Sequence, residues 1–129
     1  MKTYRDLFAW QKAMSLVTEI YRMTGMFPKE EIYGITSQMR RCAVSIPSNI
    51  AEGYGRHSRD DYLRFLQMAM SSLFEIQTQM EIAMNLKYVE KNQFDEVYQS
   101  SREIERILAG LIQSVRVSPS KPRSFSLVP

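Results

Sequence analysis

Tyr62, Leu66, Ala69, Leu73, Ile76, Met80 and Ala83 recur at alternating spacings of four and three without a fault. That period follows one face of an α-helix through about three heptads, and such a face has to be buried against other helices. Phe94, Val97, Ser101, Ile104, Leu108, Leu111 and Val115 repeat the pattern further on. Two more amphipathic segments come first. The segment from Leu7 to Thr24 carries Trp10, Met14, Val17, Tyr21 and Thr24 as its expected seam, closed by Gly25. The next opens near Pro28, where proline fits a first turn and Glu30 and Glu31 suit the positive end of the helix dipole. It runs through Ile35, Met39, Cys42, Ile46 and Ile50 to about Tyr54. Ser58 and Asp61 read as a capping box for the third helix, with aspartate in place of glutamate. Four helices, short connections and almost no strand signal predict an all-α, antiparallel up-and-down four-helix bundle over residues 1–117. Residues 118–129, with three prolines and four serines, predict a disordered basic tail.

One stretch breaks the helical rule. Ser45-Ile-Pro-Ser-Asn-Ile-Ala-Glu-Gly53 sets Pro47 inside the second helix, where it removes a backbone donor and crowds the Ala43 carbonyl. The cost is about 3 kcal/mol if nothing compensates. Ser45, Asn49 and Glu52 offer a polar network to support a bend there, and Gly53 and Gly55 end the helix. The helix is expected to turn a corner at Pro47 and continue.

Composition narrows the class. A chain of 129 residues has room for one domain with a real core, and 44% hydrophobic with 24% charged residues is ordinary globular chemistry. No apolar run approaches the ~18 residues of a membrane span, and the N-terminus leads into an interrupted amphipathic pattern, so a cytoplasmic protein is expected. The net charge of +3 is uneven: residues 1–57 hold eight Lys/Arg against five Asp/Glu, and residues 58–117 hold seven against nine. The single cysteine, Cys42, lies on an apolar seam and reads as a buried, inert thiol.

Catalytic chemistry is poorly supplied. There is one histidine, His57, and one cysteine, with no Glu-x-x-His pair, phosphate-cradling glycine loop or Gly-x-Ser-x-Gly. The expectation is a protein that is not an enzyme and uses no cofactor or metal.

What lies outside the seams points to binding. Leu63, Met70, Phe74 and Met84 on the third helix either widen the core or face a second chain. Lys12 and Arg22 on the first helix, Arg40 and Arg41 on the second, and Arg56, His57, Arg59 and Arg64 around the second turn form a candidate basic surface. Solvation of each as an ordinary surface residue is the competing reading, and Asp60 and Asp61 stand beside the densest group. No base-reading helix or aromatic-studded strand is evident, so any nucleic-acid binding is expected through the phosphate backbone with weak sequence preference.

Several strings carry a resemblance: Leu7-Phe8-Ala9-Trp10-Gln11-Lys12-Ala13, Ile20-Tyr21, Phe27-Pro28-Lys29-Glu30-Glu31-Ile32-Tyr33-Gly34-Ile35 with Gln38 and Arg40, and the Ser45–Gly53 stretch. Together they resemble a bacterial four-helix-bundle family. It includes proteins encoded in the intervening sequences of large-subunit ribosomal RNA genes and the accessory variability protein of diversity-generating retroelements. The resemblance implies a homo-oligomer, a pentameric barrel, in which Leu63, Met70, Phe74 and Met84 meet a neighbour. It also implies a scaffold or accessory role with RNA or DNA as partner, in the ribosomal RNA setting or beside a reverse transcriptase. The rival is a structural protein-interaction module in which the arginines only solubilise the chain.

Overall fold

Residues 2–118 are described by the computed structural model, and among them every regular element is helical. The helices are α1 Phe8–Thr24, α2 Ile35–Tyr54, α3 Arg59–Asn85 and α4 Lys91–Val117, with 3-10 turns at Tyr4–Asp6 and Lys29–Glu31. α1 packs beside α2 and α4, and α3 beside the same two, so the four close a ring in up-and-down order. Of the predicted tail, Ser118 is described, its carbonyl accepting a hydrogen bond from Arg59. Residues 119–129 lie outside the described residues.

The predicted seams of α3 and α4 are the buried faces. Every residue of the α3 seam is fully buried, and no residue of the α4 seam is more than 7% exposed. Ser101 keeps a hydroxyl within that core, and its partners explain why it is tolerated: it donates to the Tyr98 carbonyl at 2.6 Å and accepts from Gln77 at 3.2 Å. Ser58 caps α3 by accepting from the Asp61 N–H at 3.0 Å, while the Asp61 carboxylate turns to Arg64 instead of completing the box.

The α1 seam is one residue away from the expected one. Ala9, Ala13, Leu16, Ile20 and Met23 are buried, whereas Met14 and Tyr21 are each 44% exposed and Trp10 and Val17 are half-buried. α1 carries two adjacent apolar stripes, and the one with alanines goes inward because small side chains let the helix approach the core closely. Thr24 is buried as expected, its hydroxyl donating to the Ile20 carbonyl.

The second helix also begins later than Pro28. Lys29–Glu31 forms a 3-10 turn, and α2 starts only after Gly34. This connection is tied to the α3–α4 turn: the Tyr88 hydroxyl donates to Glu31 Oε2 at 2.8 Å, and the Tyr88 ring lies 5.4 Å from that of Phe27. That turn closes α3 with the Lys87 N–H on Met84 and the Tyr88 N–H on Ala83, which places Lys87 at φ 64°.

α2 remains helical through Pro47. The polar residues around the proline do not form one group with it. Ser45 bonds the Ser72 hydroxyl of α3, Asn49 donates to the Ser45 carbonyl, and Glu52 pairs with Arg56 at the surface. Pro47 is buried beside α1 residues on another side of the helix. Small groups instead set the distance between α2 and α3. The Cys42 thiol donates to the Ser72 carbonyl at 3.0 Å, and a Cβ added at Gly53 falls 2.8 Å from Phe65 Cβ and 3.2 Å from the Tyr62 ring.

Gly53→Ala therefore gains helix propensity but forces backbone-proximal atoms apart. A net destabilisation of about 1–3 kcal/mol is expected, read as a lowered urea midpoint; an unchanged or raised midpoint would show that the α2–α3 contact is loose.

Candidate nucleic-acid interface

The predicted basic residues fall into separate places. Arg40 and Arg41 sit in the first half of α2 beside the C-terminal end of α1, where Arg40 is anchored on three sides. Its Nε donates to Thr24 Oγ1 at 2.8 Å, its Nη2 to the Tyr21 carbonyl at 3.4 Å, and its guanidinium lies 4.7 Å from the Tyr21 ring centroid. Stacking and hydrogen bonding hold the planar group in one pose, which lowers the entropic cost of placing an anion against it. Arg41 is exposed next to it. Both border a depression of about 360 Å³ with Tyr21, Ile32, Thr36 and Ser37, and no carboxylate lines it.

Around the α2–α3 turn the chemistry differs. Phe65 is only 7% exposed because two guanidiniums cover it, Arg56 at 4.7 Å and Arg64 at 5.0 Å from its centroid. Arg56 pairs with Glu52 at 3.0 Å and Arg64 with Asp61 at 3.4 Å, while Arg59 reaches the Ser118 carbonyl at the end of α4. His57 is exposed in the same turn. Arg56, Arg59 and Arg64 thus stand among Glu52, Asp60 and Asp61, three charges against three. Such exposed pairs are weak individually, yet together they cancel the field of the corner. Arg40 and Arg56 are separated by sixteen residues of chain, about 24 Å along a helix axis, so the two groups are not one patch.

Lys12 pairs with Glu103 of α4 at 3.4 Å, and Arg22 is exposed without an ion pair among the described residues. Glu19, on the same flank of α1, meets Ser100 of α4; burial pushes its carboxyl above the usual range and this hydrogen bond opposes the shift. Of the four α3 residues considered for an interface, Leu63, Met70 and Met84 are half-buried against the monomer's own core, and Phe74 is 49% exposed.

Sequence reasoning missed an apolar groove of about 300 Å³ between α1 and α2. Trp10, Met14 and Val17 form one wall, and Val44, Pro47 and Ala51 the other. Its signal was present as the stripe assigned to the α1 core.

Cys42 is 7% exposed, and burial, reinforced by the nearby Glu75 carboxylate, pushes its thiol up to about 12. No cluster of three or more His, Cys, Asp or Glu suited to a metal exists among the described residues. No helix among them is long and apolar enough to cross a membrane.

The family described as 23S rRNA-intervening sequence protein matches residues 5–110. A solved structure, a protein of unknown function from the S23 ribosomal protein family of Bacteroides thetaiotaomicron, is similar in fold. It is 22% identical with a TM-score of 0.76, covering 81% of this chain and 98% of its own. No curated protein matches the chain.

Raised to about 12, the Cys42 thiol holds far less thiolate at about pH 8 than an ordinary cysteine. Alkylation by iodoacetamide is expected to be at least about a hundredfold slower in the folded protein than in urea. Comparable rates would place the thiol at the surface.

Proposed function

The chain belongs to the 23S rRNA-intervening sequence protein family, and we propose that it is a non-catalytic, homo-oligomeric scaffold that binds RNA through the Arg40–Arg41 depression. The observation that carries this reading is an anchored guanidinium beside an exposed one, with hydroxyls and an aromatic ring around them and no carboxylate lining the depression they share, although Arg41 also borders a second depression with Glu75. Phosphate oxygens suit the fork of an arginine held in one pose, and a half-exposed tyrosine offers area to an unstacked base. Such a site reads the backbone and has little means of reading sequence. Arg56, His57, Arg59 and Arg64 contribute less, because their corner is internally neutralised.

Oligomerisation multiplies this modest site. Several copies carry several depressions, and a net charge of +3 per chain adds up across an assembly. The match favours the ribosomal RNA setting over the retroelement one, and no feature among the described residues singles out a reverse transcriptase as partner. A second reading, a protein-interaction module without nucleic acid, is favoured by the apolar α1/α2 groove.

Fluorescence anisotropy with a short single-stranded RNA separates the two. If four phosphates are contacted, binding is expected to weaken about 50-fold between about 50 and about 200 mM salt, and combining Arg40→Gln with Arg41→Glu should weaken it at least about tenfold. Combining Arg56→Gln with Arg59→Gln should change it less than about twofold. No binding at low salt, or binding indifferent to Arg40 and Arg41, would leave the protein-interaction reading standing.

A further inference from the structure

We infer that a second depression, across Arg41 from the first, reads a guanine base of the bound RNA, with Arg41 and Glu75 as the residues that recognise it. This rests on the proposed RNA binding at Arg40 and Arg41 and adds the base that the site selects.

Arg41 stands on the boundary between the two depressions. To one side of it Ser37, Arg40 and Val44 line the space of about 360 Å³ proposed for phosphate. To the other, Gln38, Cys42 and Ser45 line a space of about 290 Å³ with Ser72 and Glu75 of α3. At about 3.6 residues per turn the two sets fall on neighbouring sides of α2. A strand whose phosphate meets Arg40 therefore has the second depression open to the adjoining base. Arg40 is held by Thr24 and Tyr21, whereas Arg41 is exposed and can turn toward that base.

The second depression holds two opposite charges that do not neutralise each other. Arg41 and Glu75 are both exposed and share its lining, yet they form no ion pair among the described residues. Glu75 is steadied by Gln79, only 7% exposed, whose Nε2 donates to Glu75 Oε2 at 3.4 Å. A carboxylate has several lone pairs, so this bond leaves it able to accept from a ligand. The remaining polar groups are already engaged: the Ser45 and Ser72 hydroxyls bond each other, and the Cys42 thiol donates to the Ser72 carbonyl. What is left is a donor fork and an acceptor fork on one rim, too far apart to pair with each other.

Guanine matches both forks at once. Its N7 and O6 accept from an arginine bidentately, and its adjoining N1–H and 2-amino group donate to a carboxylate. In a single strand the unstacked base exposes all of these atoms. Cytosine meets the same pair with one bond fewer, through its 4-amino group and its N3 and O2. Adenine sets one donor group between two acceptors, and uracil one N–H between two carbonyls, so neither gives each side chain its fork. The Glu75 charge also repels phosphate, a penalty on RNA that brings no donor base to it and hence a source of selectivity.

Fluorescence anisotropy at low salt tests this with labelled oligouridine strands carrying one central guanine, inosine or cytosine, or none. The full chain is expected to bind the guanine strand at least about fivefold more tightly than the all-uracil strand, with cytosine between them. Inosine, which lacks the 2-amino group, should bind at least about threefold more weakly than guanine. In Glu75→Ala, a change at an exposed helix position, guanine and inosine should bind alike within about twofold, and the all-uracil strand no more weakly than to the wild type. No binding to any strand overturns the RNA reading and this inference with it. Binding without a guanine preference, guanine and inosine bound alike by the wild type, or a guanine–inosine difference that survives in Glu75→Ala overturns the base site alone. The inosine comparison uses the wild type, so it decides whether or not the variant folds.

Discussion

The arrangement depends on how closely α2 approaches α3. Cys42, Ser45 and Gly53 give α2 a side with little bulk, and the Ser45–Ser72 bond, the Cys42–Ser72 bond and the Gly53–Phe65 contact hold that side to its neighbour. A helix has only one circumference to distribute. With its small side committed to α3 and Met39, Ala43, Ile46 and Ile50 committed to the core, α2 meets α1 through Arg40, Val44, Pro47 and Ala51. α1 in turn places its alanines inward and leaves Trp10, Met14, Val17 and Tyr21 along the junction. The groove and the arginine depression are therefore two stretches of a single junction that small residues elsewhere have left open.

Pro47 fits this view. Its missing N–H is a cost inside a helix, and its ring is buried along the α1/α2 groove. Of the polar residues beside it, Ser45 bonds Ser72 of α3, Asn49 donates to the Ser45 carbonyl within α2, and Glu52 is bonded to Arg56.

Periodicity made α3 and α4 legible because each has one apolar face and a long run in which to show it. α1 was misread by one residue because it has two apolar stripes, and Trp10, Met14 and Tyr21 carry far more apolar area than Ala9 and Ala13 although small residues pack closer. The 3-10 turn at Lys29–Glu31 looked like a helix start because acidic residues suit both. The basic residues could be named from sequence, but what each one touches could not. Lys12 finds Glu103 on a helix distant in sequence, Arg40 finds Thr24 and Tyr21, and Arg59 finds Ser118. Those tertiary partners separate an arginine pair that makes no ion pair among the described residues from a corner whose charges cancel, a distinction absent from any count of lysines and arginines.

We propose that the α1/α2 junction is the working face of the molecule. The most direct test is photo-crosslinking of the wild-type protein to a 4-thiouridine-substituted single-stranded RNA at low salt, followed by peptide mapping. Crosslinks on the peptides carrying Tyr21 and Arg40–Arg41 are the predicted result. Crosslinks confined to the Arg56–Arg64 corner, or none at all, would contradict it.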